Sequence, residues 1–291
     1  MPRSAPTPKY AAATPPPVVS GRWLLKGIGI VILVALVCSY LCLCLLYYVG
    51  QWQIVLHPDR AAQTQEAPPG LIRFGPDESG RPQLTGEWLS AGEDSRYGNL
   101  TVLLLPAGDG SRNDLQPIAH TLHNLGLNVF NFDYRGYGLS SAVHPSQQHM
   151  TEDSETAWRY LTASRNIPAG KIVPFGVGAG ASLAARLAVE HPETPAVIFD
   201  RPHTDLLDFA RADRRSSLLP AGLLFHENFP LATPLSTLTT PKLLIAKTGE
   251  PQPAFASAAT PRMTIELPTD DGPLFQETLR RFLDQYAAQD K

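Results

Sequence analysis

Cysteine is scarce in this 291-residue chain: the three cysteines are Cys38, Cys42 and Cys44, all inside one apolar run. None is left elsewhere to build a disulfide framework or a thiolate zinc site. Charge is also low, at 18% of residues with a net of −3. There is no basic excess of the kind a nucleic-acid binder uses to meet phosphates. No acidic residue precedes Asp59, and no histidine follows His226. The second absence removes the commonest general base from the last part of the chain. No internal repeat is visible, and the 43% apolar content suffices for an ordinary core.

Residues 1–26 carry six prolines and four positive charges, Arg3, Lys9, Arg22 and Lys26. Such a segment cannot bury a core and reads as a disordered basic tail. Residues 27–49 follow, 23 positions without a charge. As a helix this run spans roughly 35 Å, enough to cross the ~30 Å hydrocarbon layer. Trp23 stands before it and Tyr47, Tyr48 and Trp52 at its far end, where amphipathic rings suit a membrane interface. The apolar run is longer than a signal peptide's, and no small-x-small cleavage site follows. With the positive charges ahead of the span, the N-terminus is expected in the cytoplasm and the domain on the periplasmic or extracellular side. The membrane contact is thus assigned to residues 27–49, as a single-pass anchor.

Residues 50–70 are polar and Pro-rich and read as a linker. Beyond them strand and helix patterns alternate. Leu71–Phe74 and Leu84–Leu89 suggest a hairpin. A continuous apolar run at Leu100–Leu105 suggests a buried strand, as does Leu127–Phe132, and Lys171–Phe175, Ala196–Phe199, Lys242–Ala246 and Met263–Leu267 read as further strands. Helical spacing marks Asp114–Asn124, Thr151–Ala163, Ala179–Glu190 and Pro273–Ala288. Thr151, Glu152 and Asp153 read as the cap and acidic first turn of their helix. The pattern implies an α/β domain over 71–291, a mostly parallel sheet covered by helices. Ligands in such sheets sit at the C-terminal ends of the strands. Residues 203–236 between two strands read as a small lid.

After the strand ending at Phe132 comes Asp133-Tyr134-Arg135-Gly136-Tyr137-Gly138-Leu139-Ser140. Some forty residues on, a strand runs into Phe175-Gly176-Val177-Gly178-Ala179-Gly180, and Asp200-Arg201-Pro202-His203 and Thr240-Pro241-Lys242 follow in turn. In this order and spacing the chain resembles membrane-anchored α/β-hydrolases of the serine-aminopeptidase-like and esterase-like branch, over about residues 50–285. The resemblance implies the α/β-hydrolase fold and a serine on a Gly-x-Ser-x-Gly elbow. It also implies an acid after a later strand, a histidine after the last, and an oxyanion loop. Several of these parts are missing. Gly178 stands at the nucleophile position, and glycine has no atom with which to form an acyl-enzyme. Asp271 stands where the histidine belongs, and a carboxylate is a poor base at neutral pH. Its simpler role is an N-cap ahead of Pro273. Glu250 lies near the acid position. The oxyanion loop is Pro106-Ala107-Gly108, with Ala107 and Gly108 as its backbone candidates, since Pro106 has no N–H. The pattern points to a degenerate triad and a pseudo-hydrolase.

Two other readings compete. A displaced nucleophile could be Ser111, Ser140, Ser141 or Ser182, with His203 or His226 as base, giving an active esterase-like or peptidase-like enzyme. Alternatively, Gly176-x-Gly178 between a strand and a helix, with Asp200 closing the next strand, has the spacing of a nucleotide-binding module. The pseudo-hydrolase reading expects no cofactor and no metal; Glu250, Asp270 and Asp271 are read as solvated loop acids. It expects a pocket rimmed by Ala107, Gly178, Ala179, His203 and Phe225, open to a small apolar ligand or to an envelope protein partner, at a bacterial inner membrane.

Overall fold

The computed structural model describes residues 20–58, 69–202, 219–250, 252–269 and 272–287. His203, Asp270, Asp271, residues 1–19 of the tail and 203–218 of the lid lie outside the described residues. The chain divides into two compact units, residues 1–46 and 47–291. The first contains most of α1, Gly21–Gly50. This helix is long and apolar enough to cross a membrane, and its 18-residue apolar window has nothing packed over it.

The second unit is built on one eight-stranded sheet. Its strands are β1 (Ile72–Pro76), β2 (Pro82–Leu89), β3 (Thr101–Leu105), β4 (Asn128–Asp133), β5 (Ile172–Val177), β6 (Val197–Asp200), β7 (Lys242–Lys247) and β8 (Arg262–Leu267). Their spatial order is 8-7-6-5-3-4-2-1. β1 and β2 form the expected antiparallel hairpin, and β2 pairs antiparallel with β4. Every pairing from β4 through β3 to β8 is parallel. Alternate side chains of one strand enter opposite layers. Leu103 and Leu105 of β3 therefore pack with Met150, Trp158 and Leu183 on one face. Val102 and Leu104 pack with Ile118, Leu122 and Phe282 on the other.

The covering helices are α2 (Gln116–Asn124), α3 (Gln147–Arg159), α4 (Gly180–Glu190) and α5 (Pro273–Tyr286). The helix expected from Asp114 begins with a 3₁₀ turn, Arg112–Leu115, capped by Ser111. α3 starts four residues before the Thr151 expected to cap it. Ser146 is the N-cap, its Oγ accepting from the amide of His149 at 3.1 Å, while Thr151 donates inside the helix to the carbonyl of Gln147. The N-cap of α5 is Gly272, and among the described residues no side chain caps it.

The expected linker also needs correction at its start. Trp52–Val55 forms a short helix, and His57–Pro58 pairs in parallel with Asp109–Gly110. Gln51 and Leu56 are buried within the second unit. Residues 51–58 are therefore part of the domain.

Candidate functional site

The loops after β3, β4, β5 and β6 meet at the C-terminal end of the sheet. The turn from β5 into α4 is tight. Gly178 has φ +54°, a left-handed conformation that glycine adopts without steric cost. A Cβ on Gly176 would overlap the carbonyl oxygen of Gly180, and one on Gly180 would overlap that of Leu105. The elbow is thus present in its backbone, with glycine where a side chain would project.

The amide of Gly178 donates to the carbonyl of Asp200 at 3.2 Å, and that of Ala179 donates to the carbonyl of Ala107 at 3.2 Å. An oxyanion site needs N–H groups aimed at an empty position. Here the N–H after the elbow residue is already occupied, and the loop presents a carbonyl to it. The loop's other carbonyls are held as well. Tyr134 donates its hydroxyl to Pro106 at 3.4 Å. Tyr137 and the amide of His57 donate to Gly108 at 2.9 and 3.0 Å. Leu56 closes the space in front: a Cβ at Gly108 would lie 2.9 Å from its side chain, with Met150 and Ala179 beside it.

The Asp133–Ser140 run is structural. Asp133 accepts from the amide and Nε of Arg112 at 2.7 and 3.1 Å, and Arg112 also reaches Glu87. Arg135 is clasped by Asp153 at 2.6 Å and by Glu152 at 2.7 Å. Burial is the largest influence on Asp153 and pushes its carboxyl up to about 6, against the pull of Arg135.

Glu250, the expected acid, does not join the elbow. It is 58% exposed and paired with Lys247 at 2.7 Å, a solvated pair within one loop. The buried acid at the elbow is Asp200, which enters the sequence analysis only through the competing nucleotide-binding reading. Its carboxylate is 0% exposed and paired with Arg201 at 3.1 Å, so it faces no open ligand space. Desolvation raises it to about 6, offset in part by Arg201. Its position as the last residue of a buried strand was the available signal.

Of the alternative serines, Ser111, Ser140 and Ser182 have their hydroxyls engaged in local structure. Ser182 donates to the carbonyl of Pro230 at 2.7 Å. Ser111 caps a turn. Ser140 donates to the carbonyl of Asp133 and accepts from the amide of Thr85. Ser141 contributes its main chain to the carbonyl of Gln83. His226 is engaged through Nδ1 by Gln51 and stands 3.6 Å from Glu227. Among the described residues no histidine ring bonds a serine hydroxyl. Of the expected rim, Gly178, Ala179 and Phe225 are buried and Ala107 half-buried. A cavity of about 770 Å³ lies elsewhere, lined by Gln83, Arg135, Glu155, Arg159 and Tyr160 among others. Among the described residues no cluster of three or more His, Cys, Asp or Glu could hold a metal.

Comparison with known proteins agrees with the fold. The serine aminopeptidase S33 family profile matches residues 100–208. An uncharacterised protein of Mycobacterium tuberculosis is 29% identical over 201 residues, covering 64% of this chain and 70% of that one. The α/β-hydrolase domain-containing protein WAV2 of Arabidopsis thaliana is 31% identical over 157 residues, 49% of this chain and 51% of its own. A Pyrococcus furiosus esterase superposes with a TM-score of 0.58 at 19% identity, over 80% of this chain and 97% of that one. A Vibrio vulnificus α/β-hydrolase does so at 0.54 and 17%, over 85% and 92%.

Proposed function

We propose that this chain, an α/β-hydrolase by fold and by sequence relationship, is a membrane-anchored pseudo-hydrolase that binds a ligand or partner and does not cleave one. One observation carries the reading: glycine occupies the nucleophile position while the next amide, on Ala179, is bonded to the Ala107 carbonyl. Acyl transfer needs a nucleophile and a free donor for the oxyanion. Loss of a single such donor costs roughly 10²–10³ in rate, and loss of the nucleophile removes the covalent route. α1 serves as a single-pass anchor. The positive residues before it and the lack of acids there support a cytoplasmic N-terminus, with the domain on the far side, as at a bacterial inner membrane. The ligand class that suits the fold is small and mostly apolar, or an envelope protein.

The test uses the full chain in detergent with a fluorophosphonate probe and short-chain esters. Neither labelling nor turnover is expected, and Gly178→Ser is expected to remain inactive because no histidine follows His226. A phosphonate adduct that Ser182→Ala or Ser111→Ala abolishes sinks the reading. The binding half is tested by melting the protein with acyl or peptide ligands. A ligand at 100 times its Kd adds about 2.7 kcal/mol of stability, and an unchanged Tm across the series counts against it.

A further inference from the structure

Two loops far apart in sequence are tied to the stretch where α1 ends. The Tyr48 ring stands 4.6 Å from that of His226, and the Trp52 ring 5.2 Å from that of His144. Gln51 is buried; its Nε2 donates to the carbonyl of Leu224 at 3.2 Å, and its Oε1 accepts from the amide of His226 at 2.8 Å. The loops 142–145 and 219–226 are thereby held at one site. Residues 142–145 and 219–225 contain no acid, lysine or arginine. Each loop presents an aliphatic side chain to the outside: Leu223 is 84% exposed and Val143 42%. Single exposed aliphatics are ordinary on a protein surface. Two of them, on uncharged loops bound to the end of a 23-residue apolar run, are placed by their neighbours.

We infer that these loops rest on a lipid surface, with Leu223 and Val143 entering the headgroup–acyl boundary. The inference rests on the membrane reading of α1. If residues 27–49 cross the bilayer, Gln51 stands about 3 Å past Val49 at 1.5 Å per residue. The polar layer on each side is on the order of 5–7 Å deep. Groups hydrogen-bonded to Gln51 therefore lie within it, and aliphatic side chains there gain by insertion while charged ones would not. Directly after these loops come the Gln147 amide, which donates to Glu227, and the Pro230 carbonyl that takes the Ser182 hydroxyl. Lipid contact thus acts on a segment bonded to α4, directly after the elbow, through Ser182.

The test places a fluorophore on single cysteines in a full chain carrying Cys38→Ala, Cys42→Ala and Cys44→Ala, in phosphatidylcholine/phosphatidylglycerol nanodiscs. Some lipids carry a spin label near the headgroup. Leu223→Cys reads the loop and Leu46→Cys reads the anchor. Glu193→Cys, an exposed site just before β6 at the opposite end of the sheet, is the control. Each variant must first melt cooperatively at the parental Tm. At least twofold stronger quenching at 223 than at 193, with 46 also quenched, is expected. Quenching at 46 but not at 223 overturns the docking and leaves the anchor standing. No quenching at 46 removes the anchor reading and the docking with it. A blue-shifted but unquenched probe at 223 means a protein covers it and overturns the lipid assignment, as does equal quenching at 223 and 193.

Discussion

Gly180 shows how a glycine can outlast the chemistry its motif serves elsewhere. A Cβ there would overlap the carbonyl of Leu105 and stand 2.6 Å from that of Pro106, both backbone atoms of β3 and its following loop. Helix α4 can approach the sheet this closely only at a residue without a side chain. Gly180→Ala must push two elements apart, and overpacking of this kind costs about 3 kcal/mol. Gly249→Ala is the contrast, since that glycine has positive φ but open space around it. Its cost is about 1 kcal/mol, the penalty of a Cβ in the left-handed region. Urea denaturation of the two variants is expected to rank them in this order, and equal losses would show that the elbow is not tightly packed. Gly178 was legible as a missing nucleophile because the sequence shows which side chain is absent. The carbonyl of Ala107 facing Ala179 was not, because peptide orientation leaves no mark on residue identity.

The elements whose ends carry buried charge set the pH behaviour. Asp200 ends β6 and Asp153 lies within α3; burial raises both to about 6. Burial likewise raises Asp133, Glu155 and Glu227. The folded state therefore holds protons that the unfolded chain, with carboxyls near 4, has already released. The stability these groups contribute is fully present below pH 4 and is lost as pH rises through about 6. Thermal melts between pH 4.5 and 7.5 are expected to show Tm falling over that window, more shallowly in Asp200→Asn. A Tm that climbs with pH would mean that the arginine partners outweigh burial. Element boundaries were read well where a strand is buried on both faces, as in β3. An apolar run that short, closed by a proline and a glycine, fits a buried strand and is too brief for a core helix. The start of α3 was misplaced because Thr151-Glu152-Asp153 has the composition of a first turn. The true cap, Ser146, follows a proline and reads as loop. Asp153 instead faces inward to hold Arg135, which only the tertiary contact reveals.

At the scale of the whole chain, the boundary between the apolar helical unit and the domain falls at residue 47 and not at the end of a linker. Polarity misled the sequence reading here: Gln51 looks solvated. The structure buries Gln51 against Leu224 and His226, and commits the His57 amide to Gly108. Leu56 is almost wholly buried, at 1% exposure, and faces Gly108. These contacts separate two truncations. A chain beginning at Tyr47 keeps all of them and is expected to melt cooperatively near the Tm of the full chain in detergent. A chain beginning at Asp59 loses the Leu56 side chain, for which roughly 3 kcal/mol is typical of a buried leucine. At 2–4 °C per kcal/mol for a domain of this size, its Tm should fall by roughly 6–12 °C. It also uncovers Gly108 and Ala179. If the shorter chain melts with the longer one, residues 51–58 are a linker after all. If it is less stable and gains affinity for acyl ligands, the segment that joins the domain to its anchor is also what fills the old substrate site.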